Sequence, residues 1–473
     1  MRSTVLRFGS LLAILALILA ACGTQGQSQA PAGSEPAAES DAPVAGEPVE
    51  IRWYCCLGTG DDPAQVEVEQ GVVDAFNESQ SGIHVTLEVV EYEEAYDILN
   101  VQLNSPDPPD VVGPAGITGE EAFAGQWLDL QPLIDSTGYD ISQFDPDLVE
   151  FYRSEEFGLE GLPFAVFPSM TYYQRDMFDE AGLEYPPHAY GDPYVLDGEE
   201  VTWDMDTLAE LAKRLTVDVN GNDATSPDFD PENIVQWGYE PQYQDLRAAG
   251  SYFGSGSLVA DDGTTAQVPD HWADAWKWIY NGVWTDHTIM NLAQRDAPEQ
   301  GNGNAYNSGK VAMALTHLWF TCCIGDAGED WDVAAVPEYN GTVTSNFNAD
   351  TFRIWGDTEH PEEAFEVLTY LIGDASAELL QIYGGMPAIE ADQDAFFAGL
   401  DETYPQGVDW QVVRDSVAYA DNPSFEAFVP NYQEAFERVV AFGDTLRSTE
   451  GLDVDAEIAA FIEELQAIYD RAE

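Results

Sequence analysis

The chain has 473 residues, with 87 Asp and Glu against 16 Lys and Arg, a formal charge of −71 at pH 7. So acidic a surface argues against nucleic acid, whose binding needs a basic face, and against a polybasic hold on anionic lipid. The acids run along the whole length, so they describe a surface and not an interaction tail.

In chain order, Arg2 and Arg7 precede an unbroken apolar run from Leu11 to Ala21, which is followed by Cys22. This is the layout of a secretory signal peptide. Leu19-Ala20-Ala21-Cys22 matches the bacterial lipobox, in which the cysteine is acylated, so Cys22 is the expected lipidation site. The apolar run is too short to span a hydrocarbon core of about 30 Å. Residues 23–48 are almost wholly Gly, Ala, Ser, Thr, Gln, Glu and Pro; such a segment cannot bury a core and reads as a tether. About 425 residues remain, more than one core usually organises, so two lobes are expected.

Val49 to Tyr54 alternates apolar and polar residues and predicts a strand. The turn residues Gly58 to Pro63 break it. A helix is predicted over Ala64 to Gln80, a strand over Ile83 to Val90, a helix over Tyr92 to Asn104 and a short buried strand at Pro109 to Val112. Strand and helix alternate, which predicts an α/β lobe with a largely parallel sheet. Ligands sit beyond the carboxyl ends of such strands, so the loop Cys55 to Pro63 is well placed for one. Further strands are predicted at Phe164 to Tyr173 and Lys310 to Leu315. Further helices are predicted at Trp203 to Leu215 (capped by Asp204 or Thr202), Trp272 to Trp284, His360 to Ile372, Phe425 to Ser448 and Val454 to Ala472.

Seven short segments now resemble one family in order. They are Ile51-Arg52-Trp53-Tyr54; Val73-Asp74-Ala75-Phe76-Asn77; Pro109-Asp110-Val111-Val112; Trp127-Leu128-Asp129-Leu130; Leu162-Pro163-Phe164 leading to Tyr172-Tyr173-Gln174-Arg175-Asp176-Met177-Phe178; Gly309-Lys310-Val311-Ala312-Met313; and Gly385-Met386-Pro387-Ala388. The chain resembles the extracellular solute-binding proteins of carbohydrate-importing ABC transporters, the maltose-binding-protein class of solute-binding family 1. The resemblance implies a two-lobed periplasmic-binding-protein-like fold of type II, with mostly parallel sheets, flanking helices and hinge strands near Pro163 to Pro168 and Asn346 to Phe352. The implied lobes are 49–165 with 350–390, and 166–349 with 391–473. It also implies a monomeric, non-catalytic receptor without cofactor. That receptor would be lipid-anchored on the extracytoplasmic face of the cell membrane, close on a sugar or oligosaccharide and deliver it to a permease.

A neutral sugar needs aromatic platforms and convergent hydrogen-bonding side chains. Segment matching nominates Asp61 and Asp62 in the first loop, and Glu240, Gln242 and Tyr243 in a second-lobe segment. It adds Trp319 after the apolar strand, and Phe425. Gln242 stands where the family has an aromatic, so stacking passes to Tyr243.

Two adjacent pairs, Cys55-Cys56 and Cys322-Cys323, follow predicted strands close to the expected cleft and join the candidate set. An exported protein favours oxidation, and four cysteines allow three pairings. Vicinal bridges are the expected pairing, because a cross-link between lobes would oppose opening. A four-thiolate metal site is the alternative, although structural zinc sites use spaced cysteines. Asp218 to Asp223 has oxygen ligands at alternate positions like the start of a calcium loop. Its glycine comes two positions early and Phe229 holds the twelfth position, which favours a plain Asn-Gly turn.

Two other functions compete with the receptor: a surface-anchored glycoside-acting enzyme, and a binding protein for a non-sugar solute. With 87 acids, a catalytic carboxylate pair can be imagined anywhere, so their abundance says nothing. Gly-x-Ser-x-Gly, His-Glu-x-x-His and phosphate-binding glycine loops are missing from the sequence. Of the six histidines, His317 alone falls near the expected cleft, where hydrogen bonding suits it better than catalysis.

Self-repulsion on this scale destabilises a compact state unless it is screened, and the chain has only three lysines, Lys213, Lys277 and Lys310. A saline habitat is the hypothesis. The melting temperature should rise between low and molar salt, and a flat profile would count against it.

Overall fold

In this computed structural model the described residues are 48–471 apart from 56, 117–118, 120–121, 124, 145, 155–156, 302 and 325–329. The lipobox with Cys22, the tether, Cys56 and the side chain of Cys322 lie outside the described residues.

The chain begins with β1 (Val49–Cys55), α1 (Pro63–Ser79), β2 (Ile83–Val89), α2 (Tyr92–Leu103) and β3 (Val111–Ala115). β1 lies between β2 and β3 and is parallel to both. Trp53, Tyr54 and Cys55 are all buried, as an inner parallel strand with both faces covered requires. Asp62 caps α1, accepting from the Ala64 amide at 2.9 Å.

β4 (Ala165–Gln174) leads into the second half, which comprises α3 (Met205–Leu215), β5 (Val217–Asp218), β6 (Ile234–Glu240), α4 (Leu246–Ser251), α5 (Asp270–Trp284), β7 (Val311–His317) and β8 (Trp331–Ala334). β7 runs parallel to β6. Asp204 caps α3 through the Thr207 amide, and Lys213 and Arg214 occupy its last turn, where cations suit the helix dipole. At Gly238 a Cβ would stand 1.9 Å from the Ala212 carbonyl oxygen, so glycine is what lets α3 lie directly on β6.

The chain returns through β9 (Phe347–Ile354), α6 (Pro361–Ile372), α7 (Ser376–Tyr383), β10 (Met386–Pro387) and α8 (Glu390–Thr403), and finishes with α9 (Tyr432–Ser448) and α10 (Val454–Tyr469). Among the described residues ten strands form one sheet: eight in the order β2-β1-β3-β9-β4-β7-β6-β5, and β8 and β10 paired to β4 off that path. β1–β2, β1–β3 and β6–β7 are parallel and β5–β6 is antiparallel, whereas every pair made by β4 or β9 is antiparallel.

β4 is therefore the seam. Its first four residues pair with Phe347–Asp350 of β9, and from Ser169 onward it pairs with β7 and then β8. All ten of its side chains are buried. Because strand side chains alternate faces, Tyr172 enters the core shared with Trp53, Phe352 and Trp331. Its neighbour Tyr173 enters the core of Leu208, Trp272, Trp276 and Phe461. Both segments expected as hinge thus meet in one β4–β9 ladder.

Most predicted elements hold to within two residues. The strand expected at Pro109 to Val112 runs on to Ala115, the helix expected to end at Ala472 ends at Tyr469, and the helix expected from Phe425 starts only at Tyr432. Pro430 cannot donate an amide hydrogen, and Asn431 adopts φ 50°, which sets the helix entry there. Phe425 is left on a loop. No described helix is long and apolar enough to cross a membrane.

Candidate ligand-binding site

A cavity of about 1510 Å³ opens between the two halves of the sheet path. The first half supplies the loop after β1 with Asp61 and Asp62, Tyr96 of α2, and Glu378, Gln381 and Tyr383 of α7. The second half supplies Tyr243, Gln244, Asp245 and Arg247, then His317, Trp319 and Cys323, then Phe425, Glu426 and Phe436. Phe167, Asn348 and Asp350 of the seam line it between them.

The loop after β1 is held by Gln65, whose Oε1 accepts from the Gly60 amide at 2.9 Å and whose Nε2 donates to Thr59 Oγ1 at 2.8 Å. This braces the turn that carries Asp61 and Asp62, both of which are exposed. The two halves approach closely at Gly384 (φ 67°), where a Cβ would lie 2.7 Å from Thr321 Oγ1, so α7 can end against the Trp319 segment.

Planar groups form the opposite wall. The rings of Tyr243 and Trp319 are 5.9 Å apart, those of Trp319 and His317 are stacked at 5.6 Å, and those of His317 and Phe425 are 6.0 Å apart. The Arg247 guanidinium lies 6.0 Å from Phe425 and 4.9 Å from Phe436, and it is engaged by Asp245 at 2.7 Å. Tyr243 has φ 54°, unusual for a bulky residue, and stands 49 % exposed. Its neighbours explain the turn. Gln242 is tied inward to the Gly303 carbonyl and the Tyr306 amide. Gln244 reaches Thr316 and His317 and accepts from Asn346.

The wall is also wired to the seam. Asn348 on β9 accepts from Trp319 Nε1 at 3.2 Å and donates to Glu426 Oε2 at 2.8 Å. Asp421 is a buried hub that accepts from Ser251 Oγ and from the amides of Phe347 and Phe425. It thereby fixes the Phe425 loop to the start of β9.

Of the sequence-nominated residues, Asp61, Asp62, Tyr243, Trp319, Cys323 and Phe425 come together at the cavity. Glu240 does not: it is 1 % exposed and paired with Arg447 at 2.5 Å inside the second half. Gln242 is 1 % exposed and turned into the fold, and Gln244 takes the place expected for it. The left-handed turn at Tyr243 is the physical reason for the exchange. Cys55 is fully buried, its Sγ 3.5 Å from Glu69 Oε1. Arg247, Asn348, Gln381, Tyr383 and Phe436 carried no sequence signal, since each is brought in by tertiary packing.

In the calcium-like loop, both carboxylate oxygens of Asp218 accept hydrogen bonds, from the amides of Asn220, Asn222 and Asp230 and from the Asn222 side chain. The loop is closed by its own hydrogen bonds. Among the described residues no group of three or more His, Cys, Asp or Glu side chains is placed to hold a metal ion.

Burial sets the electrostatics of the site. His317 is pushed down to about 3 by loss of solvent, against the opposing charge of Asp245, so its imidazole is neutral. Glu69 is pushed up to about 7 by burial, opposed by the hydrogen bond from Tyr383 and reinforced by Asp61. Asp421 is likewise pushed up to about 7 by burial, against its hydrogen bonds.

The family model of the bacterial extracellular solute-binding proteins matches residues 62–378, and the chain belongs to that family. Its members are binding proteins, and the expected absence of catalysis agrees with that. Among solved structures, the fold is similar to the ABC substrate-binding protein Lmo0181 from Listeria monocytogenes in complex with cycloalternan. That match has a TM-score of 0.66 and 17 % identity, over 90 % of this chain and 98 % of that one. UgpB from Mycobacterium tuberculosis in complex with glycerophosphocholine gives 0.67 and 16 % over 90 % and 98 %. The MalE domain from Bdellovibrio bacteriovorus bound to maltotriose gives 0.62 and 17 % over 89 % and 99 %.

Two predictions follow from the buried charges. Glu240→Ala should destabilise the protein by about 3–5 kcal/mol, because Arg447 is left buried without its partner. Urea unfolding should show the loss, while ligand affinity per folded molecule stays unchanged. Glu69 and Asp421 hold their protons more tightly in the folded state than in the unfolded chain, where carboxyls titrate near ~4. Their stabilisation is complete below that pH and is lost as pH rises through about 7. Asp421→Asn should therefore flatten the fall of stability between about pH 4 and 7 by up to ~1.4 kcal/mol per pH unit. Melts of variant and wild type across that window check the difference.

Proposed function

We propose that the protein is a lipid-anchored extracytoplasmic receptor that binds a sugar or oligosaccharide between two closing lobes and delivers it to an ABC transporter permease. The observation that carries this reading is the cavity between the sheet halves, with its wall of Tyr243, Trp319 and Phe425 beside the amides of Gln244, Asn348 and Gln381. Apolar ring faces need such aromatics, and hydroxyls need convergent donors and acceptors. The structural neighbours' ligands include cycloalternan and maltotriose, in support of a sugar.

Glycerophosphocholine, the ligand of another neighbour, suits this cavity less well. Its phosphate would face Asp61, Asp62, Glu378 and Glu426, and the one guanidinium that lines the cavity among the described residues, Arg247, is already engaged by Asp245.

The proposed lobes are 49–165 with 350–390, and 166–349 with 391–473. The packing of Glu390–Thr403 against α7 and β10 argues for adding that helix to the first lobe. Lobe closure about the β4–β9 ladder would turn ligand contact into a change of shape. The anchor is Cys22, which would keep a monomeric receptor near its permease. Vicinal pairing of Cys55 with Cys56 and of Cys322 with Cys323 goes with this reading, since a cross-link between the lobes would oppose their opening.

A thermal-shift screen of mono- and oligosaccharides at high salt tests the proposal. A saturating ligand stabilises by about 2.7 kcal/mol at a hundredfold excess over Kd, and Trp319→Ala should abolish most of that shift. No shift with any sugar, together with turnover of a glycoside, would sink it.

A further inference from the structure

A second depression, of about 480 Å³, lies between the stretch around Phe123 and Gln126 in the first half and the start of α9 in the second. Its rim carries Phe428, 46 % exposed, and the side chains of Gln433 and Glu437, both exposed.

Aromatic packing joins it to the main cavity on both sides. In the first half, Tyr96 of the main cavity stacks on Phe123 of the depression, with ring centroids 6.3 Å apart and planes 14° apart. In the second half, Arg247 and Phe436 of the main cavity contact Tyr432 of the depression. The guanidinium sits 5.6 Å over the Tyr432 ring and donates to its hydroxyl at 3.0 Å, and the Tyr432 and Phe436 rings are stacked at 6.2 Å. On both sides, groups that line the one space pack directly against groups that line the other.

The geometry points to an outer subsite: the Phe428 depression takes the terminal ring of a linear oligosaccharide whose inner rings fill the main cavity. This rests on the main cavity being the sugar site. The main cavity alone exceeds the ~300–1,000 Å³ of a compact ligand site, so it already suits more than one ring. The depression has the chemistry for one ring more. Phe428 offers a half-exposed face for ring C–H groups, and Gln126, Gln433 and Glu437 offer amide and carboxylate partners for hydroxyls. Among the described residues no Lys or Arg lines it, which disfavours an acidic sugar.

Calorimetric titration with maltooligosaccharide and cello-oligosaccharide series of two to seven rings tests the subsite, in wild type, Phe428→Ala and Gln433→Ala. In the series that binds, wild-type affinity should keep rising into the longer members. Phe428→Ala should bind the longest member about three- to tenfold more weakly and the shortest one equally well, and Gln433→Ala should show the same pattern more mildly. Melting temperatures equal to wild type establish that the variants are folded, as the exposure of both positions leads one to expect. Identical chain-length dependence in wild type and variants would overturn the outer subsite and leave the main cavity standing. Failure of both series to bind wild type would overturn the subsite for these sugars, and the screen over other sugars then decides the main cavity separately.

Discussion

The structure depends on one strand having to satisfy two sheets. β4 pairs with β9 and β10 at its start and with β7 and β8 at its end, and all ten of its side chains are buried. An extended backbone buried this deeply must have its amides and carbonyls paired, so the two halves are joined by a ladder that cannot be broken cheaply. The proposed closure would therefore bend the paired strands without parting them. The cavity lies directly over this seam, which supplies Phe167, Asn348 and Asp350 to its lining.

Asn348 and Asp421 give that placement its meaning. One side chain on β9 holds both Trp319 and Glu426, and a second group fixes Phe425 to the first residue of the same strand. Trp319 and Glu426 are thus one hydrogen bond, and Phe425 two, from the strands proposed to bend. Interfaces of this kind respond in discrete arrangements more than by smooth deformation.

Local elements were legible in the sequence because their signals are local. The alternation in Val49 to Tyr54 and the Asp204 cap before Met205 needed no tertiary information, and both appear where expected. The two segments that meet in the β4–β9 ladder and the loop carrying Asp61 and Asp62 were reached through resemblance and strand order. Side-chain direction was harder. Glu240 looked like a polar contact for a ligand, but sequence could not reveal that Arg447, 207 residues away, would be buried beside it. Gln242 and Gln244 are alike in composition, and only the left-handed turn between them decides which faces the cavity. The helix expected from Phe425 failed for a related reason: apolar spacing continued across Pro430 and Asn431, but the backbone did not.

That left-handed turn has a consequence for how the protein can change over generations. Gln242 and Gln244 anchor the backbone on either side, so the side chain at position 243 is held by its neighbours more than it holds them. The residues that best tolerate positive φ are Gly, Asn and Asp. Conservative drift at this site therefore runs from a stacking ring towards a small polar group or none, without rebuilding the fold. A single substitution at this exposed tip could thus change what the wall offers a ligand while the β4–β9 ladder beneath is left as it is.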